Sequence, residues 1–329
     1  MALRGKDSVS EFVVPSVNDG HLEGRTAASS EGTDVGVLII NADDWGRDFL
    51  TTDRTLDCLL RGTVSSVSAM VFMKDSERAA AVALERGIDA GLHLNLTTAF
   101  SSPRHPAGLA ERQRNVAAYL RRNRFSQVVF NPLLAKSFEY VVRAQIEEYC
   151  RLYGALPERI DGHHHMHLCA NVIWGGLLPP GITVRRNFSF QPGEKSLWNR
   201  LYRQAVDFHL ARSHRMTDYF LSLRPFDPLS RLQEVFSLAR QHVVELEAHL
   251  VNAHEYRFLA GGEIFRYTEG LRIAPRYVAK ANGQAKSCFS GRFNGLVQIL
   301  RGVPKLNTFL IFVSFQALNI LVNAVLSTC

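Results

Sequence analysis

The sequence predicts an α/β fold, a distorted (β/α) barrel of mostly parallel strands with an apolar helical tail at the C-terminus, on three observations. Short apolar runs alternate with helical patterns, the signature of βα units around a parallel sheet. Six or seven such units fill residues 35–270, more than a short open sheet needs. Titratable residues recur where the strands run out, which is where barrel sites lie. The elements follow in order. Val35–Asn41 (VGVLIIN) is a continuous apolar run, as a buried parallel strand shows. A helical pattern over Phe49–Arg61 stops at Gly62, a C-cap residue. Val64–Met73 is the second strand, and the Ala-rich helix Ser76–Arg86 ends at Gly87. Asp89–Leu96 (DAGLHLNL) alternates as a third strand. Phe138–Tyr153 is a strong helix closed by Gly154, and the short strand Arg159–Asp161 leads into a dense histidine run. Ile182–Arg185, Asp218–Leu223 and Val243–His249 are further strands, separated by helical patterns at 197–212 and 229–241.

Hydrophobic residues make up 46% of the chain and charged residues 21%, enough apolar material for a sizeable core. The net charge of +7 is not spread evenly. Residues 271–329 carry seven basic residues and no acid, which leaves 31 basic against 31 acidic in residues 1–270. Residues 1–270 are therefore neutral overall, and the composition gives no reason to expect nucleic acid as their partner. The five cysteines are odd in number, scattered and without a CxxC pair, which fits a reducing, cytoplasmic compartment. Residues 1–34 are polar and aperiodic and read as a disordered leader without the apolar core of a secretory signal. Residues 271–329 read as a basic linker followed by an apolar segment. Leu306–Cys329 holds 24 residues without a charge, long enough to reach across a bilayer core or to lie at its cytoplasmic face. Its Asn307, Gln316, Asn319 and Asn323 favour the other reading, a helix docked on protein. A homodimer is left open.

The chemistry concentrates in three segments. Asp43 and Asp44, in Asn41-Ala42-Asp43-Asp44-Trp45-Gly46, directly follow the first strand. Adjacent carboxylates raise each other's pKa unless a cation intervenes; a metal would take one as a ligand and leave the other as a base. The plainer role is an Asx turn capping the helix from Phe49. His93 and Asn95 share one face of the third strand, opposite Leu92, Leu94 and Leu96. The third segment is Asp161-Gly162-His163-His164-His165-Met166-His167. If extended, it would put His163, His165 and His167 on one face; if a helical turn, it would group His163, His164 and His167. One Asp and two His around a divalent ion, with positions left for water, suit hydrolysis. Such an ion lowers the pKa of water and polarises a carbonyl.

In order and spacing these three segments, with Gly62-Thr63-Val64-Ser65-Ser66-Val67-Ser68 as second strand, resemble the metal-site motifs of the YdjC-like (ChbG-type) carbohydrate deacetylases. The resemblance covers roughly residues 35–270. It implies a distorted (β/α) barrel, one divalent metal ion (Mg²⁺ or Zn²⁺), and hydrolysis of N-acetyl groups on an amino sugar or glycoconjugate by a metal-activated water. By position, Asp44, His93 and His163 resemble the metal ligands and Asp43 the catalytic base. His249 resembles the late-strand histidine that faces the site, where it could protonate the departing amine. His165 and His167, with Asn95, are expected around the ligands or facing substrate. Arg185 either contacts a substrate oxygen or forms a surface salt bridge. Two positions depart from the family pattern. Trp45 replaces a usual Phe and could narrow the sugar pocket, and Leu250 replaces a usual Pro, which leaves the shape of the last loop open. Two alternatives stand beside this reading: a different metallohydrolase such as a phosphoesterase, and a membrane-associated binding protein that uses the barrel as a scaffold.

Overall fold

The computed structural model describes residues 36–279 apart from 191–194, 228, 269, 270 and 272. The leader expected over 1–34 and the apolar segment 306–329 lie outside the described residues. Among the described residues no helix is long and apolar enough to cross a membrane. Seven strands are present: β1 (Val37–Trp45), β2 (Ser66–Ala69), β3 (Ala90–Leu94), β4 (Arg159–Gly162), β5 (Thr183–Val184), β6 (Tyr219–Ser222) and β7 (Val243–Ala248). They form one parallel sheet in the order β5-β4-β3-β2-β1-β7-β6. The sheet curls until its edges meet. β5 is tied to the chain before β6 by a Thr183–Arg215 bridge, and Ser189 N–H donates to the Phe220 carbonyl at 2.8 Å. The expected distorted barrel is therefore present, with an irregular seam.

Helices α1 (Phe49–Leu60), α2 (Ser76–Arg86), α3 (Leu109–Arg122), α4 (Ala135–Tyr153), α5 (Ala170–Ile173), α6 (Leu197–Leu210), α7 (Leu229–Ala239) and α8 (Ala253–Ala260) connect the strands. Local chemistry sets their ends. The Asp48 carboxylate caps α1 by accepting from Thr51 N–H, and Gly87 and Gly154 close α2 and α4 in left-handed conformation. The sequence expectation did not include α3 or α8. The buried face of α3 comprises Leu109, Gln113, Val116, Ala117 and Leu120, an amphipathic stripe interrupted by a glutamine.

Each strand alternates between two environments. Leu38, Ile40, Ala42, Val67, Ala69, Leu92, Leu94, Ile160, Val184, Val244, Leu246 and Ala248 belong to the apolar layer packed with the helices. The opposite face lines the barrel interior and is largely polar: Asn41, Asp43, Ser66, Ser68, His93, Arg159, Asp161, Arg185, Glu245 and Glu247 are all buried. The register pairs Val37 with Val243, Ile39 with Glu245 and Asn41 with Glu247, so the interior passes from apolar at the strand starts to charged at the strand ends.

Alternation breaks once, and the break makes the site. Between the pairs Ala42–Val67 and Trp45–Ala69, β1 has one residue more than β2, a bulge. Asp44 takes up the extra residue with φ of 65°, a left-handed conformation unusual for a side-chain-bearing residue. Asp43 and Asp44 can then both face the strand-end site, and Trp45 returns to the apolar layer. There Trp45 is fully buried and its indole N–H donates to the Ala79 carbonyl of α2 at 3.2 Å. The expectation that Trp45 narrows a sugar pocket is thus corrected: the bulge inverts its face.

Candidate metal centre and active site

Three buried side chains converge at the C-terminal ends of β1, β3 and β4. Asp44 Oδ1 lies 2.9 Å from His163 Nδ1 and 3.5 Å from His93 Nε2. Although close, none of these three atoms has an aligned hydrogen-bond partner. Buried polar atoms left without partners are rare and costly. Here they point at one another from three strands, all within 4.8 Å, and a divalent cation would satisfy all three at once. One carboxylate oxygen and two imidazole nitrogens are a donor set suited to zinc or another divalent ion. His93 Nδ1 lies 2.7 Å from Asp161 Oδ1, so that edge donates to the carboxylate and turns Nε2 toward Asp44. Burial opposes a charge on His93, but Asp43 and Asp161 outweigh it and lift its pKa to about 10. The pocket therefore calls for a positive charge, supplied by a proton on His93 or by an ion. Burial alone would raise Asp44, yet His163 and His93 hold it far below the usual carboxylate range. Its second oxygen accepts from Arg47 at 2.9 Å.

Asp43 sits beside this set, its Oδ2 3.8 Å from His93 Nε2. Both of its oxygens accept from Arg185, at 2.7 and 2.8 Å. Burial would raise Asp43, but the guanidinium outweighs it and keeps the carboxyl ionised. Arg185 is 0% exposed and also reaches Glu245 at 2.7 Å and Asp161 at 3.1 Å. Arg185 is not a surface ion pair: fully buried, it supports Asp43 from behind as the centre of a buried charge network. Glu247 Oε1 lies 3.5 Å from Arg185 and 3.6 Å from His165. Burial and the neighbouring Asp43 push the Glu247 carboxyl well above its usual range. His249 stands at the mouth with its side chain 36% exposed and Nε2 4.0 Å from Asp43 Oδ2. With Leu250 in the core, the following turn is set by Glu255, which accepts from His249 N–H at 2.7 Å, and by Asn252 N–H donating to the His249 carbonyl.

The histidine run is neither extended nor a single helical turn. His164 and His165 both adopt positive φ, 55° and 58°, within a distorted 3-10 segment, so the four rings do not share one face. His163 joins Asp44. His164 stacks on His163 and its Nδ1 meets Thr97 Oγ1 at 2.9 Å. His165, 30% exposed at the side chain, packs edge-on against Phe188 and Phe220. His167 is fully buried, and Nε2–H donates to the Arg185 carbonyl at 2.9 Å. Burial drives the pKa of His167 down to about 4. Gly162 makes this turn possible, since a Cβ there would come within 2.9 Å of His167. Asn95 does not face the cluster. Its side chain accepts from Thr98 N–H at 2.8 Å and donates to the Thr98 carbonyl at 2.7 Å, folding the loop after β3. Sequence reasoning missed Asp161, Glu245 and Glu247. The signal was present: Arg159/Asp161 flank Ile160 and Glu245/Glu247 flank Leu246, polar residues at period two in strands otherwise apolar.

Fold and cluster together define a parallel-stranded α/β barrel protein with a buried Asp-His-His set of metal-binding type at its strand ends. The family model described as YdjC-like protein matches residues 37–254, and the chain belongs to that family. The mouse carbohydrate deacetylase is 31% identical over 143 residues, covering 41% of this chain and 44% of that protein. The chitooligosaccharide deacetylase of Proteus mirabilis is 29% identical over 133 residues, covering 40% of this chain and 50% of that protein. The chain thus spans about half the length of these curated relatives. A crystal structure from Enterococcus faecalis, of a protein named for cellobiose-phosphate cleavage, superposes with a TM-score of 0.56 at 17% identity, covering 73% of this chain and 97% of that one. That likeness supports the fold.

Proposed function

We propose that the chain is a metal-dependent hydrolase that removes N-acetyl groups from an acetylated amino sugar or glycoconjugate. The observation that carries this reading is the convergence of Asp44 Oδ1, His93 Nε2 and His163 Nδ1, three buried atoms without an aligned hydrogen bond, beside an ionised Asp43. Asp44, His93 and His163 would hold one divalent ion, Mg²⁺ or Zn²⁺; bound there, it would supply a more acidic water and polarise the acetyl carbonyl. The other steps fall to the chain itself. Asp161 fixes the ring of His93 through Nδ1. Asp43, kept ionised by Arg185, accepts the proton of the attacking water. His249, at the exposed edge and 4.0 Å from Asp43, protonates the leaving amine. The names of the mouse and Proteus relatives support an acetylated carbohydrate as substrate.

A two-ion phosphoesterase would need free donors from Asp43, Glu247 and His249 for its second ion. Asp43 gives both oxygens to Arg185 and Glu247 lies 3.5 Å from the same guanidinium, so the geometry favours one ion. The test is acetate release from a panel of N-acetylated sugars by the metal-supplemented chain, with metal content by elemental analysis. Asp43→Asn should cut turnover by about 10²–10⁴-fold, the usual worth of a general base, and leave about one ion per chain. A variant that turns over at the wild-type rate would refute the base assignment.

A further inference from the structure

The segment after the last barrel helix was expected to be linker, yet its first residues close the strand-start end of the barrel. Ala274 N–H donates to the Leu38 carbonyl at 2.8 Å, and Ile273 bridges Leu38. Ala274 packs with Val37, Ile39 and Val243, and Tyr277 lies against them. The Tyr277 N–H donates to Asp89 at 2.8 Å, and the Arg159 guanidinium sits 4.2 Å from the centre of the Tyr277 ring. Gly91 leaves the space for that guanidinium, since a Cβ there would meet Arg159 Nε at 2.6 Å. The phenol reaches into the interior and its hydroxyl donates to Glu245. Glu245 accepts from Arg185 Nε at 2.7 Å with its other oxygen. Arg185 in turn gives both terminal nitrogens to Asp43. Three consecutive contacts therefore run from Tyr277, beyond the 37–254 span matched by the family, to the carboxylate beside the metal set.

We propose that Tyr277 is a positioning residue for Asp43: its hydroxyl fixes Glu245, Glu245 fixes the Nε edge of Arg185, and Arg185 thereby holds the Asp43 carboxylate in place. The inference rests on reading Asp43 as the base. A guanidinium shared among Asp43, Asp161 and Glu245, with Glu247 at 3.5 Å, sits where their pulls balance. Without the phenol, Glu245 loses one of its two hydrogen-bond donors and leans more on Arg185, and the guanidinium moves toward Glu245 and away from Asp43. Tyr277→Phe removes only the hydroxyl and keeps the ring under Arg159, so the plug itself stays.

The experiment is the crystal structure of full-length Tyr277→Phe beside that of the wild type, with kcat and KM for acetate release. Expected are an opened Arg185–Asp43 fork and a kcat lowered about tenfold with KM held, as for a misplaced catalytic group. Glu245→Gln removes the pull of that carboxylate on Arg185, so in its background Tyr277→Phe should cost no further kcat, because residues in one chain of contacts are not additive. A fork unchanged in Tyr277→Phe overturns the proposal whatever the activity. A wild-type chain that releases no acetate from any sugar would instead overturn the reading of Asp43, and the crystal structures would still decide whether Tyr277 sets the fork.

Discussion

Along β7, Val244, Leu246 and Ala248 face the helices, while Glu245 and Glu247 face the barrel interior. Two residues apart, one strand serves opposite energetics. The outer face stabilises the fold by removing apolar surface from water, at about 25 cal/mol per Å². The inner face takes charges out of water, which costs several kcal/mol per ion unless each is paired. Asp43, Asp161 and Glu245 all contact Arg185, Glu245 also accepts from Tyr277, and Glu247 lies 3.5 Å from the same guanidinium. The lesson is that the interior is arranged to hold a charge pattern, and stability comes mainly from the layer outside it.

Three perturbations probe that division. Arg185→Met leaves Asp43, Asp161 and Glu245 without their shared cation, and breaking a buried ion pair in this way costs about 3–5 kcal/mol. Chemical denaturation should show that loss, and a variant as stable as wild type would mean the interior does not depend on pairing. The second concerns pH. The pKa of His167 is about 4 in the fold against an ordinary 6.5. Between those values the unfolded chain binds the extra proton, so the stability from neutral His167 is complete above about pH 6.5 and lost as pH falls toward 4, roughly 3 kcal/mol in all. His167→Gln, which can still donate to the Arg185 carbonyl, lacks this term. The stability gap between wild type and variant should shrink by that amount from pH 7 to pH 4; a constant gap would refute it. The smallest effect belongs to the outer layer. Trp45→Phe removes the hydrogen bond to Ala79 and some packing, for a loss of about 1–2 kcal/mol. KM for the sugar should stay put, and a raised KM would return Trp45 to the pocket.

Much of this architecture could be read along the chain. Leu92, His93 and Leu94 show the two faces of β3 in three letters, and Asp43, Asp44, His93 and His163 fall at strand ends that come together in space. What could not be read depends on distant partners. Arg185 finds Asp43 from 142 positions away, and nothing in Ile182–Arg185 announces an interior cation. The turn at His164 and His165 is imposed by Thr97 and Phe188 rather than by local preference. Helix α3 escaped because its buried stripe contains Gln113, which donates to the Asn95 and Thr98 carbonyls.

The bulge at Asp44 makes β1 intolerant of length change where most strand ends would accept it. Removing one codon between Ala42 and Trp45 would restore strict alternation and keep the indole in the apolar layer, but leave only one carboxylate at the site. A lineage can exchange residues in this stretch one at a time, but a deletion there would cost it the paired aspartates, and an insertion would turn the indole toward the charged interior, in a single event.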